Sequence, residues 1–328
     1  MAPELALVLV EHDDGHPDRL SLEALAMARR AIGSGAGGSL EAVLFGPGAD
    51  VAAAELGPHG VTLAHLAEDA RLDAYVPAAW GAALSQLIGK LQPGLVVAPG
   101  SERGTEVLAD VAARRDLPMA ANCTEIRPGD PFEVTRQRWG GSLLEDARLD
   151  GATRLLTVAP HVIAPEEVAG AAPAVRRGKP DLEESDLRVR VVGRLEPEPG
   201  SISLGDARVV VGGGRGVGSA AGFEALQELA GLLGGTIGVS RAVTSAGWRP
   251  HSEQVGQTGA RIAPELYIAC GISGAIQHIV GCKAARRILA INTDPDAPIM
   301  ARADYALIGD LRTIVPALSA EIRRVRNA

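Results

Sequence analysis

The chain has little cysteine, few aromatics, no excess of positive charge and no apolar run of membrane-spanning length. Its three cysteines, Cys123, Cys270 and Cys282, lie far apart and form neither a C-x-x-C pair nor a zinc-binding pattern. That spacing argues against a disulfide framework or a cysteine metal centre and fits a reducing compartment, hence a cytoplasmic protein. A formal charge of −8 argues against a broad surface for nucleic acid or anionic membrane, while leaving room for a local basic pocket. The first apolar run, 5–10, has no cationic segment before it and is followed by Glu11. It reads as a strand rather than a signal peptide or a stably inserted membrane segment. Hydrolytic signatures are missing too: there is no H-E-x-x-H, and G-I-S-G-A at 271–275 lacks the closing glycine of a G-x-S-x-G elbow. Asn292, Asp294 and Asp296 are interleaved with Pro295 and Pro298, which makes an Asx-rich turn a better reading than a metal site.

Glycine, by contrast, is abundant: 40 residues in 328 without a G-x-y period, as expected of an α/β protein with many tight turns. The densest cluster is R-V-V-V-G-G-G-R-G-V-G at 208–218, a short branched strand that empties into five glycines and Arg215 and leads toward a helical segment. Such a junction can seat a phosphate, because glycine lets the backbone approach closely and a helix end presents unpaired N–H groups. It departs from the dinucleotide fingerprint G-x-G-x-x-G/A. Begun at Gly212, that pattern needs glycine or alanine where Val217 stands, and Gly213, Arg215 and Gly218 form G-x-R-x-x-G instead. No Gly-Lys-Ser/Thr follows, which excludes a P-loop. A nucleotide or dinucleotide cofactor is the first reading, with a ligand-free tight turn as the alternative.

Hydrophobic periodicity predicts two α/β domains. Strands at 5–10, 40–45, 61–64 and 95–98 alternate with helices at 21–32, capped by Ser21, at 49–56 and at 75–91, and then with a loop and helix from 99, which implies a mostly parallel sheet. Short runs at 123–126, 132–139, 142–148 and 153–158 are expected to extend that sheet antiparallel. The Pro/Gly-rich stretch 159–206, interrupted by a strand at 189–192, reads as an interdomain connection. A second alternation follows, with strands at 207–211, 236–239, 266–269, 287–291 and 305–308 and helices at 223–233, 273–281 and 314–325. The expected domains are 1–190 and 207–328, joined by a linker at 191–206.

Ligands of open α/β sheets sit at the carboxyl ends of the strands, where four polar, glycine-rich stretches fall. They are G-G-G-R-G-V-G at 212–218, S-R-A-V-T-S-A-G-W at 240–248, H-S-E-Q-V-G-Q-T-G at 251–259 and G-I-S-G-A-I-Q-H at 271–278. Ser240 and Arg241 would meet an anion, or else cap a helix and face solvent. Gln254, Gln257 and Thr258, beside Gly259, are uncharged donors and acceptors suited to a heterocycle edge, or to an ordinary polar loop. Ser273, Gly274 and Ala275 read as a second helix start receiving phosphate, with Gln277 and His278 in its first turns.

V-G-Q-T-G-A-R-I-A-P-E-L-Y-I-A-C-G-I-S-G-A-I-Q-H at 255–278 closely resembles the α subunit of electron transfer flavoproteins. The likeness continues through G-G-R-G-V-G-S, S-R-A-V-T-S-A-G-W, A-I-N-T-D-P-D-A-P-I at 290–299 and A-D-Y-A-L-I-G-D-L at 303–311, and so covers the second domain. The resemblance implies an N-terminal adenine-nucleotide-hydrolase-like parallel sheet with an antiparallel extension, packing against a β subunit, and a C-terminal Rossmann-like parallel sheet that binds noncovalent FAD. It implies AMP in the β subunit, electrons arriving from acyl-CoA or other flavin dehydrogenases and leaving to a membrane quinone oxidoreductase, and a carrier without a substrate of its own. By the same likeness Arg215, beside Gly216, would lie near the flavin and favour its negative forms, with Ser240 and Arg241 in the flavin and phosphate environment. Thr258 would serve flavin N5 and His278 flavin O2. Gln254, Gln257 and Gly259 would complete the flavin loop; Ser273, Gly274, Ala275 and Gln277 would meet phosphate and ribityl, and Asn292, Asp310 and Leu311 the adenosine end. S-E-R-G-T-E-V-L at 101–108 looks like a nucleotide loop, which the family reading makes a scaffold. Three alternatives stay open: an NAD-dependent oxidoreductase using the junction at 212, an electron-bifurcating relative with FAD in both subunits, and a nucleotide sensor without redox function.

Overall fold

The computed structural model describes residues 3–33, 38–193 and 202–326. The chain divides into two compact units, Met1–Leu195 and Glu196–Ala328. The first runs β1 (Leu5–Leu9), β2 (His12–Asp13), β3 (His16–Pro17), α1 (Arg19–Ile32), β4 (Ser39–Phe45), α2 (Ala49–Ala54), β5 (Leu63–Ala67), α3 (Pro77–Leu91), β6 (Leu95–Pro99), α4 (Glu102–Arg115), β7 (Met119–Arg127), β8 (Glu133–Arg138), β9 (Leu143–Arg148), β10 (Arg154–Val158) and β11 (Ala174–Gly178). Nine strands form one sheet in the order β11-β5-β4-β1-β6-β10-β7-β8-β9, parallel from β11 to β7 and antiparallel at β8 and β9. Along β1 the side chains alternate between two cores. Ala6 and Val8 pack with α1 and α2, whereas Leu7 and Leu9 pack with α3 and α4. Helices on both faces bury the central strands, which accordingly read as unbroken apolar runs.

Three expectations for this unit are corrected. Helix α1 is capped by Asp18, whose side chain accepts from Leu20 N at 2.8 Å, while Ser21 sits inside the helix and its Oγ accepts from Glu11 N at 2.8 Å. Both residue types cap helices, and the tie of Ser21 to the end of β1 decides between them. The run at 153–158 is not antiparallel: β10 inserts between β6 and β7, parallel to both. Its apolar L-L-T-V is buried throughout, unlike the half-exposed β8 and β9. Finally, 189–192 forms no strand, and Val189, Val191 and Val192 are exposed. The strand in that stretch is β11, paired parallel with β5 through backbone bonds that its exposed A-V-R-R-G side chains do not announce. Residues 159–178 therefore belong to the first unit, and the P-E-P-G at 197–200 lies outside the described residues.

The expected loop at 101–108 is instead the capped start of α4, with Ser101 as its N-cap. Ser101 Oγ accepts from Gly104 N at 2.8 Å and donates to Glu11 Oε1 at 2.5 Å, so the chain's own carboxylate sits beside the start of α4. Burial raises the Glu11 pKa, against the opposing pull of the Ser101 hydroxyl.

The second unit runs β12 (Val209–Gly213), α5 (Phe223–Leu232), β13 (Thr236–Val239), α6 (Arg241–Ser245), β14 (Leu266–Cys270), α7 (Ile276–Cys282), β15 (Ile288–Asn292), β16 (Tyr305–Ile308) and α8 (Leu311–Arg326). Its sheet is parallel in the order β13-β12-β14-β15-β16. Val211, Ile268 and Ile291 pack beneath α5 and α8; Val210, Tyr267 and Ala269 pack on the other face with Val255, Ile262 and Cys282. Helix α7 starts at Ile276 rather than at 273, because Gly274 takes φ +82°, outside helical space. Among the described residues no helix is long and apolar enough to cross a membrane.

Replacing Asp18 with Ala removes the cap of α1. The expected loss is about 1 kcal/mol in urea unfolding, and an unchanged midpoint would show that Asp18 does not hold the helix start.

Candidate functional site

In the second unit the chain leaves β12 toward β13 on one side and returns through β14 on the other, which makes the carboxyl ends of β12 and β14 a topological switch point. The Gly-rich turn closes against the end of β14 by backbone bonds, Gly214 N to Cys270 O at 2.9 Å and Gly216 N to Gly271 O at 3.0 Å. Glycine is required here. A Cβ on Gly214 would lie 2.2 Å from Gly271 O, and Gly271 itself has φ +60°. The glycine run thus serves first to let two backbones touch. Nor does a long helix follow it directly: residues 215–217 form a single 3₁₀ turn ended by Gly218 at φ +89°, and α5 begins only at Phe223.

Two clefts adjoin at this end of the sheet, sharing Ser240, Ala242 and Ser273. The larger, of about 410 Å³, is lined by Arg241, Gln254, Gln257, Thr258, Ala275, Gln277 and His278 together with the shared residues. The smaller, of about 240 Å³, is lined by Arg215, Gly216, Asn292 and Asp294. Residues from five separate stretches of sequence are thereby brought together. Four candidates line neither cleft. Gly259 and Gly274 pack against backbone, at Gln254 and Ile299. Asp310 accepts from Arg312 N at 2.9 Å at the start of α8, and Leu311 is buried in the core. Sequence reasoning missed Ala242, Ser245, Val255, Gly256, Gly271, Ile272, Asp294 and Ala297 as lining residues. Ser245 follows Arg241 by one helical turn of α6, and that spacing was a usable signal. The small apolar residues carried none.

The loop 254–260 is held at both ends. Val255 N donates to Val239 O at 2.9 Å and Gln257 N to Gln277 O at 2.7 Å, tying it to β13 and α7. Gln254 is buried, and its carboxamide is spent inside the protein. Its Oε1 accepts from Thr244 Oγ1 at 2.6 Å, and its Nε2 donates to Thr258 O and Oγ1, each at 3.0 Å. Because the Thr258 hydroxyl accepts from Gln254, its own proton is left for a ligand. Asn292 bridges Ile272 O at 3.0 Å and Asp294 N at 3.1 Å, an Asx turn.

Two exposed arginines and one carboxylate, Asp294, supply the charge in the clefts. Neither Arg215 nor Arg241 has a carboxylate partner among the described residues. His278 is buried; its Nε2 lies 2.8 Å from Tyr267 Oη, and its Nδ1 is shut off from solvent, with the Val255 backbone as the hydrogen-bonding group beside the ring. Burial pushes its pKa down to about 4, the Val255 backbone opposing in part, so the ring is neutral at physiological pH. Two free guanidinium groups, uncharged donors and a neutral imidazole suit a flat heterocycle that carries negative charge and an anionic tail.

Gly214→Ala forces its Cβ against Gly271 O and is expected to destabilise the protein by about 1–3 kcal/mol in urea unfolding; wild-type stability would contradict the close approach. His278 titrates near the ordinary 6.5 in the unfolded chain and near 4 in the fold. The unfolded chain therefore binds the extra proton, and stability falls as pH drops between those values. His278→Gln should flatten that part of the stability curve, and equal slopes would show that the ring is not buried neutral.

Comparison with known proteins gives a consistent picture. The electron transfer flavoprotein domain matches residues 6–183, and the electron transfer flavoprotein FAD-binding domain matches residues 203–283. "Protein FixB" of Clostridium saccharobutylicum is 35% identical over 98% of this chain and 97% of its own length. The electron transfer flavoprotein subunit alpha of Thermoanaerobacterium thermosaccharolyticum is 33% identical, covering 97% of this chain and 98% of that protein. Its namesake in Bacillus subtilis is 32% identical over 97% of each.

Proposed function

We propose, since the chain belongs to the α-subunit family of electron transfer flavoproteins, that its second unit holds FAD noncovalently in the paired clefts and that the protein works as an electron carrier in a heterodimer. The observation that carries this reading is the donor set itself: two arginines without carboxylate partners and a threonine hydroxyl with its proton free, lining two adjoining clefts. Bound there, FAD supplies reversible redox chemistry in single-electron and electron-pair steps.

The chain's own residues supply position and potential. Arg215 and Arg241 favour negative charge in the bound ring by Coulomb attraction at the cleft wall. Thr258, held in place by Gln254, offers its hydroxyl proton, and in this reading it serves the N5 edge of the flavin. His278, neutral, serves the O2 edge. Gln257, Ser273, Ala275 and Gln277 meet the ribityl and phosphate groups, with Ser240 between the clefts, and Gly216 and Asn292 lie toward the adenosine end. Asp310 and Leu311 act there through the start of α8 rather than by contact. The partner in this reading is a β subunit carrying AMP, against which the first unit packs. Electrons come from acyl-CoA or other flavin dehydrogenases and leave to a membrane quinone oxidoreductase, and the heterodimer works in the cytoplasm.

The test is the chain co-expressed with its β-like partner, with released cofactors quantified. About one FAD and one AMP per heterodimer is the expected result. A well-folded complex without flavin overturns the reading, and a second FAD in place of AMP moves it to an electron-bifurcating protein. Arg241→Ala should weaken FAD retention by roughly ten- to a hundredfold, the worth of a charge-assisted contact, and lower the flavin midpoint potential. Wild-type retention and potential would remove Arg241 from the site.

A further inference from the structure

Tyr267, on β14, is among the largest fully buried side chains of the described protein. Its hydroxyl has one described hydrogen-bond partner, His278 Nε2 at 2.8 Å, and the two rings stand 6.1 Å apart. The hydroxyl has little freedom to turn away: a Cβ on Gly212 would fall 2.2 Å from it. Tyr267 does not line the cleft, but His278 does.

Counting protons decides which atom donates. A phenol has one proton, and a neutral imidazole has one N–H. If Nε2 carried the imidazole proton, it would donate to Tyr267, and the phenol proton would be left in the core without an acceptor. A buried donor left unpaired costs about 1–3 kcal/mol. If Nε2 is bare, the phenol donates to it, and the imidazole proton sits on Nδ1, an atom shut off from solvent beside which the Val255 backbone offers the acceptor. Burial keeps both groups in the forms this count assumes, since it holds the phenol pKa well above 10 and the imidazole neutral.

We infer that Tyr267 is a positioning residue that fixes His278 as the Nδ1–H tautomer and so holds the imidazole in one orientation in the wall of the cleft. That the cleft takes a flavin rests on the reading above; the tautomer does not. Tyr267 thus acts on a ligand only through the imidazole.

The test is a long-range proton–nitrogen NMR spectrum of the full chain with its partner subunit, labelled on histidine nitrogen, before and after cofactor removal. His278 is assigned by its disappearance in His278→Gln. The expected wild-type pattern is a pyrrole-type Nδ1 and a pyridine-type Nε2 in the flavin-free protein. Tyr267→Phe should convert it to a mixture of tautomers and weaken FAD retention roughly two- to tenfold, the worth of one neutral hydrogen bond. A pyrrole-type Nε2 in the wild type overturns the inference, as does a Tyr267→Phe protein with unchanged tautomer and retention. If that variant does not fold, the wild type still decides. A coupling between the Tyr267 hydroxyl proton and Nε2 supports the assignment, and a proton bonded to Nε2 refutes it. Should the tautomer be as stated while the wild-type complex takes up no flavin, the cofactor reading fails and the role of Tyr267 toward His278 stands.

Discussion

Two backbones passing within hydrogen-bonding distance, at Gly214–Gly216 and Cys270–Gly271, set the geometry on which the site depends. The contact fixes the turn after β12 against the end of β14, at the point where the sheet order reverses. Because no side chain fits between the strands there, the loops that follow splay apart on either side of the contact and open the clefts. Arg215 and Gly216 come from the first loop and Ser273 from the second. The glycines therefore act on function at one remove: they are needed for packing, and packing places the side chains that meet a ligand.

The polar groups around the clefts divide sharply into those consumed by the protein and those left over. Gln254 spends its amide on Thr244 and Thr258, and Asn292 spends its amide on Ile272 and Asp294. Arg215, Arg241 and the Thr258 proton remain. One helix start in the first unit shows the reverse. At its α4 start, where a parallel α/β sheet could receive an anion, Glu11 already supplies the carboxylate and Ser101 binds it.

Much of the architecture was legible in the sequence. Strand 236–239 and strand 305–308 fall where periodicity puts them, and the polar stretches at 212–218, 240–248, 251–259 and 271–278 lie at strand ends. These features are local: alternation, turn chemistry and glycine content are written into neighbouring residues. What eluded sequence reasoning involves partners distant along the chain. The run L-L-T-V looks the same as an edge or a central strand, and only its pairing with β6 and β7 makes β10 central. β11 has no apolar side chain in the core, so nothing in its composition marks it.

The same division runs through the site. By itself the sequence determined the class of fold, the order of the motifs and the resemblance that the full-length matches support, because each depends on residue types in a fixed linear order. The tertiary structure decided which of the motif residues face a ligand. Gln254 lines the larger cleft yet spends its amide on Thr244 and Thr258, Asp310 caps a helix, and Tyr267, an apparent core residue, meets a histidine eleven positions on. Each outcome turns on a hydrogen bond whose donor and acceptor are set by three-dimensional proximity, and a proton can be assigned only when every partner within reach is known.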